Sequence, residues 1–498
     1  MVSIDLAAHA GRTIPELVGF DALAFPLGSP EARDALRPLV PRTLRVDADI
    51  QHVVDCPAGT LNHGGLADLQ ARLDGVEDLG AEAILILAYM PPCLAAASPG
   101  DPRDPTILPA REPTRWETLI AELVAATGPG RVADGRRPVR YYEVWNEPDL
   151  PICFQGTPSE FVTNVMLPAG RAVTSVAGAT GLDLRFGVCG CLTPDPAWMT
   201  PMFVAARAAE VPIDFVSWHY YTAIGPDGAE PGFGDALQLL APLAEQPLNG
   251  PALIAAQAEE VRLLARSTLG RDPELIIDEW NISGGGFDRR HDTHEGAAFQ
   301  AAGLAALAAA GIDRACLFNA VDKDDVAADG SQLPARYGGW GVLDRHLNRK
   351  PAWYAQWLWH QLGATGLASP QDPLQGIWTA AATNGPDVQI LVAAYQPGGV
   401  TDRALTVAIN GLVPGTYTAD VYRIDDHHPG STDPTETTTL TVPANGYAQL
   451  DLALAAQSVA LARLTPAAVA GIPTDDTAAD RAPIQERDTL PPTASGDR

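Results

Sequence analysis

Short apolar segments alternate along the chain with longer amphipathic or alanine-rich segments. Each short segment has the length of a buried strand and is followed by residues rich in Gly, Pro and Asp, which favour loops. Several of the longer segments begin with a proline, which the first turn of a helix accommodates because its N–H groups have no intrahelical acceptor. The repeated order of strand, loop and helix predicts βα units and a parallel sheet.

Eight strands are predicted in the first part of the chain. The weakest is the first, around residues 17–22, and the other seven are at 43–46, 83–88, 141–145, 184–188, 215–218, 275–278 and 315–318. Helices are predicted at 113–126, 158–176, 196–209, 254–266, 294–310 and 351–362. Eight such units in series favour a closed (β/α)8 barrel over an open sheet, and no GxGxxG phosphate-binding sequence follows the first strand.

The pattern changes from about Trp378 onward to alternating β-branched and polar residues. Turn dipeptides such as Asn384-Gly385 separate these segments, as is typical of an antiparallel sandwich. The N-terminal sequence VSIDL alternates in the same way and is a candidate to join the sandwich. We therefore predict three regions, an α/β barrel at 15–365, a β-sandwich at 366–466 with residues 1–14 as an additional strand, and a disordered tail at 467–498.

The charge balance restricts the partners of the chain. Its 498 residues include 33 Lys and Arg against 61 Asp and Glu, which gives a formal net charge of −28. Such a surface repels nucleic-acid phosphates and anionic lipids, so neither nucleic acid nor a membrane is an expected partner.

No export signal or membrane-spanning segment is recognisable in the sequence. Charged residues interrupt the N-terminal region, and the longest apolar runs are too short for a membrane span or are rich in alanine. The chain is therefore expected in the cytoplasm. In that reducing compartment the six scattered cysteines, at positions 56, 93, 153, 189, 191 and 316, are expected to be free thiols.

Two glutamates stand at the carboxyl ends of predicted strands, where barrel enzymes carry their active sites. Glu147 follows the fourth strand in the sequence YYEVWNEP, and Glu279 follows the seventh in the sequence LIIDEWN. These strands lie on opposite sides of a barrel mouth, so the two side chains are expected to converge. Carboxyl groups about 5–5.5 Å apart can cleave a glycosidic bond with retention of configuration. A lone glutamate at a strand end would be better explained as a salt-bridge partner, and it is the pair that favours catalysis.

These two motifs resemble the acid/base and nucleophile motifs of clan A glycoside hydrolases. Further motifs resemble family 39 within that clan and follow in the same order: YMPPxL from Tyr89, VPxDFxSxHxY from Val211, HDT from His291, GGxGxL from Gly338, RKPA from Arg349 and YRIDxH from Tyr422. That family contains β-xylosidases, α-L-iduronidases and enzymes acting on arabinose- or mannose-containing glycans. The resemblance implies a retaining hydrolase that removes β-xyloside-like or arabinose-containing terminal units by double displacement.

The resemblance also assigns roles to individual residues. Glu147 would be the general acid/base and Glu279 the nucleophile. Asn146 would bond the 2-hydroxyl of the sugar, a contact that strengthens in the transition state. His219 would face the sugar, and Tyr221 would keep the nucleophile aligned and ionised.

Other assignments concern the substrate pocket. Arg45 would supply a positive charge near the nucleophile, although a buried ion pair at the barrel floor explains it equally well. Family xylosidases usually have Arg-x-His where this chain has Asp47 in the third position, and the segment 316–319 replaces one that contains Trp. An acidic partner is expected within 322–325. Asp47, Asp324 and Trp280 complete the expected substrate-binding residues, and the added carboxylates disfavour a uronic acid.

The alternative from another class is a non-catalytic glycan-binding protein that keeps the cleft. Two intact carboxylates weigh against it, because a binder gains nothing from a like-charged pair. The cluster His291-x-x-His294-Glu295 lacks the spacing of HExxH, so neither a metal nor an organic cofactor is expected. The expected partner is an oligosaccharide or glycoside, while the sequence leaves the sugar, the linkage and a homo-oligomer open.

Overall fold

Eight parallel strands form a closed barrel in the computed structural model of the protein, which describes residues 1–10, 17–56, 58–221, 250–285, 288–323 and 339–467. In chain order the barrel strands are Gly19–Asp21, Thr43–Asp47, Glu82–Leu87, Tyr141–Val144, Arg185–Cys191, Phe215–Tyr221, Glu274–Asn281 and Arg314–Leu317. Each strand pairs in parallel with the next, and the pairing of Leu317 with Phe20 joins the eighth strand to the first. The predicted (β/α)8 fold is confirmed.

The alternation of side chains along each strand separates an outer face from the barrel interior. Outward residues such as Leu85 and Val144 are buried beneath the helices. The interior is filled in layers, and its middle layer consists of Ile84, Tyr141, Phe215, Ile276 and Cys316. Gly187 faces the same layer, where the absence of a side chain leaves room for the ring of Phe215.

The helices lie between the strands, as the pattern predicts. Their bounds are Pro30–Leu36, Ile50–Val53, His63–Asp78, Pro113–Thr127, Pro129–Ala133, Pro158–Phe161, Leu167–Thr180, Pro196–Ala208, Ala252–Thr268, His294–Ala310 and Pro351–His360. The single helix predicted at 158–176 is divided by a π-helical turn, Val162–Met166. Pro168 has no N–H to donate to the carbonyl of Asn164, which is consistent with a wider turn at this place.

The C-terminal part of the chain is a sandwich of two sheets. The larger sheet contains, in spatial order, Thr365–Leu367, Ile377–Asn384, Asp387–Ala394, Ser458–Pro466, Gly415–Ile424 and Glu436–Val442. The smaller sheet contains Val2–Asp5, Arg403–Asn410 and Tyr447–Leu454. The N-terminal strand joins the smaller sheet by parallel pairing with Arg403–Asn410. Apolar residues such as Ile4, Val392 and Leu452 form the core between the sheets.

The sandwich packs against two of the outer helices of the barrel. The ring centroid of Phe299 lies 5.5 Å from that of Tyr395, and Trp357 lies 5.8 Å from Tyr422. These residues belong to one continuous apolar cluster that also contains the barrel core. The sandwich is therefore anchored to the barrel by aromatic packing.

Four of the six cysteines form disulfides, so the prediction of free thiols is wrong for them. Cys56 pairs with Cys93 and Cys189 pairs with Cys191, whereas Cys153 and Cys316 are free and buried. The first pair joins loops that follow neighbouring barrel strands, a proximity that only the closed fold creates. The second pair forms across a bulge in the fifth barrel strand, which brings the two Cα atoms to 4.9 Å.

Two further expectations concern the remaining parts of the chain. None of the helices in the described ranges combines the length and the apolar character needed to cross a membrane. The predicted tail lies outside the described residues except for Ala467, whose N–H still bonds the carbonyl of Thr416. The last barrel helix ends at His360 and the first sandwich strand begins at Thr365, so the predicted domain boundary falls beside that strand.

Replacing Gly187 by alanine tests the packing of the barrel interior. An added Cβ would overlap the ring of Phe215, so we expect Gly187→Ala to lower the free energy of unfolding by about 1–3 kcal/mol. Gly178→Ala is the matched control, because its helical position has open space around it and alanine should stabilise it by about 0.5–1 kcal/mol. Urea unfolding of both variants measures the difference, and equal stability of the two would contradict the layered interior.

Candidate active site

Glu147 lies just beyond the fourth barrel strand, in a turn whose backbone has an unusual conformation. Trp145 and Glu147 have φ angles of +72° and +47°, which residues other than glycine rarely adopt. The Glu147 N–H bonds the carbonyl of Gly190 at 2.8 Å, and the Trp145 indole N–H bonds that of Cys153 at 3.0 Å. Three aromatic rings surround Trp145, those of Tyr89, Phe154 and Phe161. The strain in this turn is therefore held by its surroundings, as is common at functional sites.

Glu279 lies within the seventh barrel strand, at a bulge. Pairing with the sixth strand shifts register between Ile277 and Glu279, so that Asp278 and Glu279 both reach Arg45 instead of pointing to opposite faces. Arg45 Nη1 donates to Glu279 Oε2 at 3.1 Å, and the Tyr221 hydroxyl donates to Oε1. These two hydrogen bonds to one carboxyl group fix its orientation.

The two glutamates face each other across the barrel mouth, with His219 between them. One oxygen of each carboxyl group and one ring nitrogen of His219 all lie within 4.8 Å of one another. His219 Nδ1 is 2.9 Å from Glu147 Oε1, and its Nε2 is 3.7 Å from Glu279 Oε2. Both glutamate side chains keep a small exposed fraction, 15% for Glu147 and 13% for Glu279, so that each can meet a ligand. Donor atoms at this spacing could also hold a metal ion, although the sequence motifs predict none.

Arg45 reaches both the barrel floor and the site. Its guanidinium donates to Asp21 at 3.1 Å and to Glu143 at 2.9 Å in the interior. It also donates to Glu279 at 3.1 Å and to Asn146 Oδ1 at 2.8 Å at the mouth. Arg45 therefore forms buried ion pairs in the barrel interior and also places its positive charge beside Glu279.

Asn146 and Cys153 hold the side of the site that carries Glu147. Asn146 accepts a bond from Arg45, and its Nδ2 donates to the Tyr89 hydroxyl at 3.3 Å. The Cys153 thiol lies 3.5 Å from Glu147 Oε2. Asn146 is thus fixed beside the paired glutamates, with its amide oriented by both neighbours.

Asp47 ends the second barrel strand at the rim of the mouth. Its Oδ1 accepts the N–H of Asp49 at 2.7 Å. Burial raises the pKa of Asp47 to about 6. The structure thus places Asp47 on the mouth side of Arg45, where the alternation of the strand directs both residues inward.

Trp280 does not take part in the site, which corrects its assignment to substrate binding. The residue follows Glu279, but it points to the outer face of the barrel, where it is 1% exposed. There its ring packs 5.8 Å from the ring of Phe299 and close to Gly303 of the adjacent helix. Strand alternation beyond the bulge turns neighbouring side chains in opposite directions, so adjacency in sequence misled the assignment.

The acidic segment after the eighth strand is only partly described. Asp324 lies outside the described residues. Asp322 accepts bonds from Lys350 at 2.8 Å and from the Gly341 N–H at 2.9 Å, so it holds the loop rather than facing an open pocket. Lys350 also contacts Asp292, which joins the loops after the seventh and eighth strands.

The electrostatics of the site centre on His219. Burial alone would lower the pKa of this imidazole, but the negative charge of Glu279 and the bond to Glu147 raise it to about 10. Burial raises the pKa of Asp149 to about 7, and the neighbouring Glu147 adds to that effect. Asp149 therefore exchanges its proton near neutral pH, whereas His219 keeps its proton there.

Among the described residues, five polar side chains that the sequence did not predict as part of the site surround the paired glutamates. They are Asp21, Tyr89, Glu143, Ser217 and Asp278. A charged residue inside an otherwise apolar strand indicates a buried partner, because burying a charge without a partner costs much free energy. Glu143 in YYEVW and Asp278 in LIID are both such residues.

The fold and the site together define a class of protein: a (β/α)8 barrel with a C-terminal β-sandwich and paired carboxyl groups at its mouth. No protein-family model matches the chain. It is 28% identical over 263 residues to a β-xylosidase from Geobacillus stearothermophilus, a match that covers 52% of this chain and 48% of that one. It is 27% identical over 164 residues to a β-xylosidase from Caldicellulosiruptor saccharolyticus, covering 31% and 30%. The matches thus span less than half the length of these relatives.

Solved structures resemble the whole described architecture. A family 39 enzyme from Xanthomonas axonopodis pv. citri gives a TM-score of 0.70 at 19% identity, covering 94% of this chain and 97% of that one. A monomeric β-xylosidase from Caulobacter crescentus gives 0.70 at 18%, covering 94% and 99%. An α-L-arabinofuranosidase from Thermotoga maritima gives 0.62 at 14%, covering 93% and 99%. The predicted resemblance to glycoside hydrolase family 39 is therefore confirmed. The solved structures support it at the level of the fold, and the curated relatives support it at the level of the sequence.

Removing Arg45 tests whether it holds the interior charges together. Arg45→Met leaves buried carboxylates without their cation, so we expect a loss of about 3–5 kcal/mol of stability at neutral pH. The folded variant then binds more protons than the unfolded chain, so the loss should shrink as pH falls toward about 4, where the unfolded chain is protonated too.

Urea unfolding at both pH values measures this effect. The control is Arg171→Met, which breaks an exposed ion pair with Glu117 and should change stability by about 0–1 kcal/mol at either pH. A loss in Arg45→Met that is no larger than this, or that does not change with pH, would contradict the assignment.

Proposed function

We propose that this protein is a retaining glycoside hydrolase of the family 39 type that removes β-xyloside-like or arabinose-containing terminal units. The observation that carries the proposal is the meeting of Glu147 and Glu279 at the barrel mouth, with one oxygen of each within 4.8 Å of the other. That closeness fits the short separation of retaining enzymes, since inverting enzymes leave room for a water between carboxyl groups about 6.5–9.5 Å apart. The names of the curated relatives support the same class of substrate.

The two glutamates have different surroundings, which supports different roles. Glu279 accepts bonds from a guanidinium and from a phenol, both of which stabilise its negative charge. Glu147 instead contacts the ring of His219 and the thiol of Cys153. The carboxylate bonded by two donors that keep their protons suits the nucleophile, and the carboxyl group paired with a titratable imidazole suits a group that must gain and lose a proton.

The proposed reaction is a double displacement. Glu279 attacks the anomeric carbon and forms a covalent glycosyl–enzyme bond while Glu147 gives its proton to the departing oxygen. Glu147 then takes a proton from water, whose oxygen displaces Glu279 and releases the sugar. Because His219 Nδ1 is 2.9 Å from Glu147 Oε1, a proton can move between them without leaving the site. Asn146 is the proposed partner of the 2-hydroxyl.

The pocket favours a neutral sugar. Asp21 adds negative charge near Glu279 and Asp47 adds it at the rim of the mouth, so both would repel a uronic acid. Asp47 is the proposed acceptor for a sugar hydroxyl, since one of its oxygens has no hydrogen-bond donor among the described residues that contact it. Phe318 lies at the end of the eighth strand with its ring 5.3 Å from that of Trp340, which provides an aromatic surface at the mouth despite the missing tryptophan of the strand.

The cytoplasmic location stays a prediction, and one observation weighs against it. Disulfides persist mainly in oxidising compartments, and Cys56 and Cys93 join two separate loops. Exo-action on short oligosaccharides fits either compartment.

Substitution of the two glutamates tests their roles. Glu147→Ala should slow hydrolysis of xylobiose by about 10²–10⁴-fold but leave nitrophenyl xylosides much less affected, because their leaving groups need no protonation. Glu279→Ala should lose about 10⁴-fold or more on both substrates, because no covalent intermediate can form. Glu122→Ala, at an exposed helix position, is the matched control.

The stereochemistry of the first product, followed by NMR, gives an independent test. Retention of the anomeric configuration is expected, and inversion would contradict the proposed mechanism. Failure of wild-type protein to hydrolyse any of a panel of nitrophenyl pentosides and hexosides would favour a glycan-binding protein instead.

Replacing each of two adjacent tyrosines by phenylalanine distinguishes a catalytic hydrogen bond from a structural one. Tyr221→Phe removes the donor to Glu279, and we expect kcat to fall by about 10–100-fold, since bonds to charged groups contribute about 1.5–3 kcal/mol. Tyr220→Phe removes an outward bond to Gly250 and should lower stability by about 1 kcal/mol while leaving kcat unchanged. Steady-state kinetics and thermal unfolding of both variants test this, and a normal kcat in Tyr221→Phe would refute the role of that hydroxyl.

A further inference from the structure

A second pair of carboxyl groups lies beneath the glutamates of the proposed mechanism. Glu143 and Asp278 are both fully buried. They come from the same two barrel strands as Glu147 and Glu279, one layer deeper in the interior. The reaction proposed above uses neither of them, so their presence needs a separate explanation.

Hydrogen-bond donors are unequally divided between the two. Arg45 Nε lies 2.9 Å from a Glu143 oxygen and 3.0 Å from an Asp278 oxygen, but its single N–H is donated to Glu143. Glu143 also accepts the hydroxyl of Ser217. Neither oxygen of Asp278 has a hydrogen-bond donor among the described residues. A buried carboxylate without donors is strongly destabilised relative to the neutral carboxyl group.

The charges around this layer do not balance if every carboxyl group is ionised. Within the described part of the chain, the cations facing it are Arg45 and His219. The carboxyl groups in contact with those two cations are Asp21, Glu143, Glu147, Asp278 and Glu279. The Cys316 thiol also faces Asp278, but burial raises its pKa well above the usual range and keeps it neutral. At least one carboxyl group must therefore carry a proton, since surplus buried charge costs several kcal/mol.

We propose that Asp278 stays protonated at neutral pH and donates its O–H to Glu143, and that this pair positions Arg45 beneath the nucleophile Glu279. The inference deepens the proposed function and, in its kinetic part, depends on it. A neutral Asp278 leaves the Arg45 N–H groups to Glu143 and Glu279. An ionised Asp278 would compete with Glu279 for the same guanidinium and repel it from the adjacent position in the chain.

The proton energetics agree with this geometry. Burial, followed by the negative charge of Glu143, raises the pKa of Asp278 well above its usual range. Burial opposes the ionisation of Glu143 as well, but the charge of Arg45 and the bonds from Asp278 and Ser217 lower its pKa overall. The two groups share one proton, and it resides on Asp278.

Infrared spectroscopy of the full chain detects that proton directly. The background is Glu147→Gln, which removes the acid/base carboxyl group. At about pH 9 the carboxyl groups of Asp21, Asp47 and Asp149, whose pKa values are raised to about 6, 6 and 7, are ionised. We expect one C=O stretch of a protonated carboxyl group to remain at that pH. It should disappear in Glu147→Gln/Asp278→Asn and persist in the control Glu147→Gln/Asp47→Asn.

Kinetics on a nitrophenyl xyloside test the positioning role. Asp278→Asn keeps a neutral donor to Glu143, so its kcat/KM should stay within about threefold of wild type. Asp278→Leu removes the donor, and Glu143→Gln removes the anion that holds Arg45, so each should lose more than about tenfold. Rescue by asparagine but not by leucine separates a hydrogen-bond donor from a space-filling side chain.

Two outcomes would overturn the inference. One is the absence of a protonated carboxyl band at about pH 9 in the Glu147→Gln protein. The other is a loss of more than about tenfold in kcat/KM in Asp278→Asn with unchanged thermal unfolding, which would make Asp278 an ionised partner of Arg45. If Asp278→Asn does not fold, titrating the band in Glu147→Gln alone still decides the protonation state. The band does not depend on turnover, so its result is independent of whether the protein is a hydrolase.

Discussion

The guanidinium of Arg45, buried to 1% exposure, is the interaction on which the site depends. Arg45 itself belongs to the second barrel strand, and its contacts come from the first, fourth and seventh strands, through Asp21, Glu143, Asn146 and Glu279. In a medium of low dielectric constant each of these charge contacts is strong, but so is the penalty for removing the ions from water. The arrangement is stable only if the barrel closes and delivers all partners together. The geometry of the site is thereby coupled to the closure of the fold.

Because the closed fold fixes the site, the two glutamates have different surroundings although their side chains are chemically identical. Glu279 lies on the side of Arg45 and Tyr221, whereas Glu147 lies on the side of His219 and Cys153. The strand bulge before Glu279 and the left-handed turn at Glu147 aim the two carboxyl groups at one another. Neither feature is a local preference of the sequence, so both must be held by tertiary contacts.

The sequence predicted the parts of this arrangement that repeat along the chain. The eight strands, most helices, the sandwich and the pair Glu147 and Glu279 follow from hydrophobic pattern and from the position of a glutamate at a strand end. What could not be predicted depends on contacts between distant segments or on local irregularity. The pairing of Cys56 with Cys93 requires neighbouring loops, and the disulfide between Cys189 and Cys191 requires a bulge.

The hydrophobic pattern could also have identified Glu143 and Asp278 as residues of the site. Each places a charge inside an apolar strand, and two strands of one barrel that both do so indicate a shared buried partner. The pattern cannot state which partner, because Arg45 is separated by 98 residues from Glu143 and by 234 from Glu279. Only the closed barrel brings these residues together.

Trp280 explains how the sandwich contributes to the site without touching it. Next to Glu279 in the chain, it points outward and packs 5.8 Å from Phe299, whose ring in turn lies 5.5 Å from Tyr395 of the sandwich. Gly303 lets the helix approach, since an added Cβ there would press on the Trp280 ring. Close packing of this kind resists displacement, because a void or an overlap of even one methyl group is destabilising. The seventh strand is thus held from outside by the sandwich and from inside by Arg45, and Glu279 is fixed between these two constraints.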